Sequence, residues 1–472
     1  MKILLIRPDP DNERFGLGPF FRVEPLGLEY LGAAVRRAGH DVTLVDERFG
    51  AGAASWVQQV RPGVVGIAAM HALEYDQVLR VARTVRAASP EAFIVVGGHA
   101  AAAFPGPLQT PAVDALCVAD GEQVFPALVA AIERRQPLFE VPGLRVRTAD
   151  GWVPSTSPAE RPALDQVPLP DRDLVRRYRG KYHCLQLKPV WLLETARGCP
   201  YRCSFCSVWQ LYERSFRERS IGAVVEDFAA VGDNIFVVDD LFWNHPARSL
   251  ELAQALIKKG IRKHWILVQS RTDLVARHAD LLEAWRPLAK YFDIFFGLEG
   301  ATDAALEGVS KDTTVDRSAE AAAVARSMDY GVTGNFLVDP SWDERHFEEL
   351  WDYVARHRFQ RAGFTILTPL PGTEYFQRLA PALEGQPWLK YDMSHLLWEP
   401  RLGVQRFFEL YAETWRRSIL NTSGQKKLSE WLKQVRLLEI PHIVRILKRT
   451  QRLMDAKAYL DEHNAPGGPG KS

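Results

Sequence analysis

Thr195-Ala-Arg-Gly-Cys-Pro-Tyr-Arg-Cys-Ser-Phe-Cys-Ser-Val-Trp209 holds three of the chain's five cysteines, Cys199, Cys203 and Cys206, in a C-x3-C-x2-C spacing. An apolar run at 190–193 leads into Glu194-Thr195, so the cysteines sit on the loop that follows a strand. Three thiolates on one loop form a soft-metal donor set, suited to an iron–sulfur cluster or to zinc. A closed zinc site asks for a fourth ligand, usually from a second CxxC or a histidine pair. None is close: Cys117 and Cys184 are isolated, and no H-x3-H follows. Three ligands on a four-iron cluster leave one iron open, and an open position is what a catalytic site needs.

At 472 residues the chain exceeds one typical domain, so two or three are expected. An apolar fraction of 47% suits a globular chain and excludes a disordered one. A net charge of +1 gives no global argument for nucleic-acid binding. Five cysteines, three of them clustered, argue against a disulfide framework and for a reducing, cytoplasmic compartment. The N-terminal run from Met1 to Arg7 is too short for a signal peptide and reads as a first strand. No run approaches the length of a membrane span. The tail Pro466-Gly-Gly-Pro-Gly-Lys-Ser472 reads as a frayed terminus.

Short apolar runs at 3–6, 42–45, 64–69, 93–96 and 115–118 alternate with amphipathic stretches at 27–38, 74–88 and 123–134. This predicts an α/β domain with a parallel, doubly wound (flavodoxin-like) sheet, whose ligand sits beyond the carboxyl ends of the strands. The loops there are 8–27, Ala68-Ala-Met-His71, Gly97-Gly98-His99 and Asp120-Gly121-Glu122, with glycines that let backbone approach something flat or large. A plain dinucleotide site would need G-x-G-x-x-G after the first strand, and Gly16-x-Gly18 lacks the third glycine.

Residues 136–183 are rich in proline and arginine, with a predicted hairpin at 143–153 and turn chemistry at 164–173. Strands recur at 190–194, 234–240, 266–270, 294–299, 334–339 and 364–368, with helices between, such as 223–231 and 318–330. Six β/α units are too few for a full eight-fold barrel. Polar residues fall at their carboxyl ends, where barrel sites form: Glu194-Thr195, Asp239-Asp240, Gln269 with Arg271, and Glu299. Helices are expected at 404–420 and 426–457, with a break or kink at Pro441. From 415 to 454 there are ten Lys/Arg against two acids, which suits either a solvated capping face or a membrane surface.

The C-x3-C-x-Φ-C motif, with Phe205 before the last cysteine, resembles the signature of the radical S-adenosylmethionine (SAM) enzymes. Pro25-Leu-Gly-Leu-Glu-Tyr-Leu31, Val65-Gly-Ile67, Val96-Gly-Gly-His-Ala100 and Ala119-Asp-Gly-Glu122 in this order resemble the cobalamin-binding domain that precedes many such modules. The resemblance implies a cobalamin-binding domain at 1–140, a linker at 141–184, a partial (β/α)6 TIM-type radical SAM core at 185–382, and a helical region at 383–472. It implies a [4Fe-4S] cluster on Cys199, Cys203 and Cys206, with SAM chelating the open iron and cleaved reductively to a 5′-deoxyadenosyl radical. Phe205 belongs to that motif; Gly97, Gly98, His99, Gly121 and Glu122 would meet cobalamin. The D-x-H-x-x-G motif of methionine-synthase-type domains is missing after Asp9-Pro-Asp11, so cobalt would lack an axial histidine there. His71 and His99 read equally well as ordinary loop histidines.

Asp239-Asp240 stands where relatives often have the Gly-Gly-Glu that receives the SAM amino group. Gln269 shares its strand end with Arg271, which fits the residue pairing with the SAM carboxylate. Glu299 matches an acid that touches the SAM ribose or amine. Gly334-Asn-Phe-Leu-Val-Asp-Pro340 lacks the glycines that serve adenine in relatives, and Thr368-Pro-Leu-Pro-Gly-Thr373 resembles a sixth-strand motif of the cobalamin-dependent subgroup.

The implied function is a methyltransferase that uses methylcobalamin on an unactivated carbon. Within the group, Asp339-Pro-Ser-Trp-Asp-Glu344 and the tail look most like the hopanoid C-3 methylases, which act on ring A. A tetrapyrrole or antibiotic methylase, or the anaerobic bacteriochlorophyll ring cyclase, is the alternative within the group. Methylthiotransferases carry three further N-terminal cysteines, whereas this region has only Cys117. A sensor without turnover would not cleave SAM. The expected partners are a small-molecule or lipid substrate and an electron donor of flavodoxin or ferredoxin type, with no nucleic acid. Peripheral contact with the inner membrane face through the basic C-terminal helices is a further expectation.

Overall fold

The alternating N-terminal runs form a seven-stranded sheet in a computed structural model that describes residues 1–10, 18, 20–359, 361–420 and 440–465. Gly16, Asp11, residues 426–439 of the helix expected at 426–457, and the tail from 466 lie outside the described residues. Five parallel strands run in the order Asp41–Asp46, Lys2–Arg7, Val64–Ala68, Phe93–Gly97, Ala115–Cys117. Alternation fixes both faces. Leu4, Ile6, Val65, Ile67, Ile94 and Val96 pack toward the helices Ala53–Val60 and Tyr75–Ala88, and Ile3, Leu5, Val95 and Ala115 toward Leu26–Arg37 and Gly121–Arg134. The hairpin expected in the linker does form, as Leu144–Thr148 and Gly151–Pro154. It pairs antiparallel onto Ala115–Cys117, so the first sheet runs past residue 140 to Pro154.

The second sheet has six parallel strands in sequence order: Trp191–Leu193, Asn234–Val237, Lys263–Ser270, Ala289–Glu299, Gly331–Val338 and Ala362–Ile366. Its outward residues, including Ile235, Val237, Ile266, Val268, Ile294, Phe296, Phe336 and Val338, join a core with the surrounding helices. The opposite parity, with Phe236, Trp265, Leu267, Tyr291 and Phe295, forms a separate cluster on the inner face. Two expected helices differ in extent. The one at 318–330 is Val315–Ser327, ended where Asp329 takes a left-handed conformation (φ 61°). The one at 426–457 gives two described helices, Ile440–Leu453 and Ala456–His463. The break falls at 454–455, where the Asp455 side chain accepts from the Lys457 N–H, while Pro441 sits in the first described turn. Among the described residues no helix is long and apolar enough to cross a membrane.

A buried ionic knot holds the two sheets in register. Glu24, 2% exposed, accepts from the Leu192 N–H at 2.5 Å and from Arg172 at 3.1 Å, and its other oxygen takes Arg179. Arg172 continues to Asp227 at 2.9 Å, so the guanidinium links the helix Ile221–Ala230 to the Glu24 carboxylate on which the connector and the first barrel strand meet. Removing one partner from a buried ion cluster strands the others in low dielectric. Glu24→Ala is therefore expected to cost roughly 3–5 kcal/mol in equilibrium denaturation. Arg36→Ala, which breaks the more exposed Arg36–Asp171 pair, should cost under about 1 kcal/mol. Similar losses for the two variants would refute the assignment.

Candidate active site

The cysteine loop is closed at its neck by a small antiparallel ribbon, Ala196–Gly198 against Phe216–Glu218. Gly198 makes the turn at φ 95°, and a Cβ there would stand 2.1 Å from the Ser215 carbonyl oxygen. Two consecutive aspartates brace the neck. Asp239 accepts from the Thr195 N–H at 2.6 Å and from the Thr195 hydroxyl at 2.5 Å, and Asp240 accepts from the Gly198 N–H at 2.8 Å. Burial pushes Asp239 up to about 7 and Asp240 up to about 6, against the pull of these donors. Both oxygens of Asp239 are thus engaged within the protein, and the residue is 1% exposed. The geometry makes it a brace for the loop instead of an open acceptor.

Inside the loop, the Cys203 carbonyl accepts from the Cys206 N–H at 3.1 Å and from the Trp209 indole at 2.9 Å. Cys203 is buried; Cys199, Phe205 and Cys206 are half-buried. Burial raises all three thiols, Cys206 to about 12, and each of Cys199 and Cys206 feels the charge of its neighbouring thiols. Lys311 and then Arg271 draw Cys203 back toward the thiolate. Among the described residues no three His, Cys, Asp or Glu side chains converge tightly enough to hold a single metal ion. Three soft sulfur donors on one loop are a donor set that suits an iron–sulfur cluster. Two cations beside the thiols offset the charge such a cluster brings.

On the rim, Arg271 is 5% exposed, with its Nε on Asp273 at 2.8 Å, its Nη2 on the Asp312 carbonyl at 3.1 Å, and its guanidinium 3.6 Å from the Tyr201 ring centroid. Glu299 has a left-handed backbone (φ 61°) at a bulge in its strand, which turns its carboxylate onto Lys311 Nζ at 3.1 Å. Gly297 leaves the space for this, since a Cβ there would lie 2.3 Å from Glu299 Oε1. Gln269, half-buried, shares the inward parity of Trp265 and Leu267. Tyr201 and Lys311 were not singled out from sequence. Tyr201 had a signal, an aromatic between two motif cysteines; Lys311 had none.

The first sheet presents its carboxyl ends to this same loop. Gly98 turns at φ 116°, and a Cβ there would meet the Ala69 carbonyl oxygen at 2.6 Å. His99 Nε2 lies 2.6 Å from the hydroxyl of Ser207, the residue after Cys206. Burial holds the His99 imidazole down at about 4, so it is neutral at pH 7. His71 Nδ1 is buried with no hydrogen-bond partner among the described residues, beside Met70, which is 47% exposed. Glu122, at the start of the helix Gly121–Arg134, takes Arg197 at 2.6 Å, and Asp120 takes Arg217 at 2.7 Å. Glu122 is therefore paired across the interface, whereas Gly97, Gly98 and Gly121 remain at the strand ends. This close glycine-lined backbone, together with an orphaned buried imidazole, fits a large flat ligand against that edge.

Residues 19–129 match the B12 binding domain family, and residues 193–354 match the Radical SAM superfamily. The hopanoid C-3 methylase of Methylococcus capsulatus is 31% identical over 415 residues, covering 86% of this chain and 78% of that protein. The anaerobic magnesium-protoporphyrin IX monomethyl ester cyclase of Rubrivivax gelatinosus is 26% identical, covering 85% of this chain and 74% of the relative. The fold resembles OxsB, a cobalamin-dependent SAM radical enzyme solved with aqua-cobalamin and SAM, at TM-score 0.69 and 15% identity over 98% of this chain and 74% of OxsB. It also resembles TsrM of Kitasatospora setae, solved with cobalamin and a [4Fe-4S] cluster, at TM-score 0.64 and 16% identity over 82% of this chain and 78% of TsrM. The two matched domains, the facing strand ends and the similarity to a curated methylase lead to one conclusion: the chain belongs to the cobalamin-dependent radical SAM methyltransferases, with a [4Fe-4S] cluster, SAM and cobalamin as its cofactors.

Proposed function

We propose that this methyltransferase places a methyl group on an unactivated carbon of ring A, the C-3 position, of a hopanoid lipid. The observation that carries the reading is the 31% identity to the hopanoid C-3 methylase over most of both chains. The inner face of the barrel is compatible with it: Phe236, Tyr291 and Phe295, half-buried around Leu267 and Val190, make that face apolar and aromatic, the lining a bulky hydrocarbon requires. Asn335, on the neighbouring strand, donates its amide N–H to the Thr365 hydroxyl at 3.0 Å.

In this reading Cys199, Cys203 and Cys206 hold the cluster, and Gly97, Gly98, His99 and Gly121 line the cobalamin edge. Bound there, these groups supply the electron that cleaves SAM and the methyl group that is transferred. The chain's own side chains position the reactants and exclude water. Arg271, gripped by Asp273 and stacked on Tyr201, offers its remaining N–H donors to the SAM carboxylate. Glu299 and Lys311 take the SAM ribose and amine side, with Asp240 and Gln269 beside them, while Asp239 braces the loop. Hydrogen removal from an unactivated carbon needs no general acid or base. An electron donor of flavodoxin or ferredoxin type is the expected partner, and the cytoplasm the expected compartment. The alternative is action on a tetrapyrrole, which the 26% identity to the anaerobic ring cyclase favours, or on an antibiotic precursor.

Anaerobically reconstituted enzyme is expected to yield 5′-deoxyadenosine on reduction, and a hopanoid-making host expressing it to accumulate 3-methylhopanoids. An unchanged lipid profile with active, cofactor-loaded enzyme would remove the hopanoid assignment and leave the class standing. Cys203→Ala should abolish both the cluster's visible absorbance and SAM cleavage. Arg271→Ala should keep that absorbance and weaken SAM binding roughly ten- to a hundredfold in equilibrium dialysis, the range for a lost charge-assisted hydrogen bond. Unchanged affinity would sink the carboxylate role.

A further inference from the structure

The apolar face of the helix Ile440–Leu453 is wider than the part the protein covers. Ile443 and Leu453 are buried against the body of the protein. Ile440, Val444 and Leu447 lie along the edge of that buried face, between it and the basic side chains, and are 43%, 45% and 56% exposed. Their i, i+4, i+7 spacing makes one stripe along the helix. The same helix carries Arg445, Lys448, Arg449 and Arg452 and no acidic residue. Arg452 pairs with Glu462 on the following helix. The other cations lie in a wider cationic field. His442 Nε2 donates to the Leu185 carbonyl oxygen at 2.9 Å, which brings Leu185, itself 41% exposed, beside the helix. His442 is pushed down by burial and then by Lys188, Arg445 and Arg449. Arg22, on the short ribbon that pairs with His183–Cys184, is pushed down by burial and, against the pull of Asp9, by Arg449, Arg48 and Arg445. Three separate stretches of chain thus bring cations into one another's field, around exposed aliphatic side chains.

Converging cations next to bare aliphatics call for an occupant that is anionic and apolar at once. A free phosphate or an acidic polymer would satisfy the cations and leave Val444 and Leu447 in water. We infer that the helix Ile440–Leu453, with Leu185, Lys188 and Arg22 beside it, docks on the surface of an anionic lipid bilayer. The aliphatic stripe enters the boundary between headgroups and acyl chains, and the flanking cations meet lipid phosphates. This goes beyond the substrate reading and does not need it, because the surface would dock whatever the barrel holds.

Flotation of the full-length holoenzyme with vesicles tests the surface without any substrate. Vesicles of phosphatidylcholine with phosphatidylglycerol and cardiolipin should carry the enzyme up; vesicles of phosphatidylcholine alone should not. Each basic residue near an anionic surface contributes roughly fivefold to partitioning, so Arg445→Glu with Lys448→Glu should lower it by more than about tenfold. Val444→Ser with Leu447→Ser should also lower it, and raised salt should weaken the wild type. Both double variants should keep wild-type SAM cleavage, which certifies the fold. Equal flotation with neutral vesicles, no flotation, or flotation indifferent to both double variants would overturn the inference. A failed hopanoid assay beside positive flotation would refute the substrate and leave the docking surface intact.

Discussion

Arg197 is the hinge of the whole arrangement. It lies two residues before the first motif cysteine, and its guanidinium is shared between Glu194 at 2.8 Å on its own loop and Glu122 at 2.6 Å on the other sheet. It is 7% exposed and stacks near the Tyr30 ring. Burial works against its charge, and the two carboxylates more than reverse this, holding it well above the usual guanidinium range. A buried charge so matched fixes geometry more than it adds stability. What it fixes is the meeting of two carboxyl-end edges, one from each sheet. Both sheets follow the same rule of α/β architecture, that ligands bind where strands end. Facing the two edges toward one another turns two ordinary binding sites into one reaction chamber.

Around that contact the fold is consistent at every level. The Glu24 knot ties the connector to both sheets, and Phe104 against Phe376 and Tyr75 against Trp388 seal the far side with ring contacts at 5.4 and 4.8 Å. Beside the cysteine loop, local backbone preference is overruled at Glu299. A non-glycine residue in the left-handed region carries strain, and strain persists where surrounding structure imposes it for a purpose. Here the imposed turn brings an acid and a buried lysine together beside the cysteine loop.

The strands were legible in the sequence because fully apolar runs bounded by glycine and proline have few other uses, and the cysteine motif because its spacing is chemically specific. The partners were not legible. Glu122 and Arg197 are 75 residues apart, and Thr195 and Asp239 are 44 apart, so no local pattern links them. Asp239 looked like an open acceptor because a strand-end carboxylate reads the same whether it faces a ligand or a backbone amide. Lys311 stayed hidden for a similar reason: a lysine in a Ser-Lys-Asp loop has the composition of any surface turn. The hairpin at 144–154 was found but given to the linker, since sequence alone does not say which edge a hairpin joins.

The contact between His99 and Ser207 carries a thermodynamic consequence. It connects the turn after the Phe93–Gly97 strand to the residue following Cys206. Order gained on one side of that bond is order the other side no longer has to acquire. Linkage then requires reciprocity: by whatever factor the corrinoid edge, once filled, raises the cysteine loop's hold on iron, the iron-loaded loop raises the grip on the corrinoid. A coupling of this kind would have no preferred direction, so neither load would outrank the other in the order of assembly.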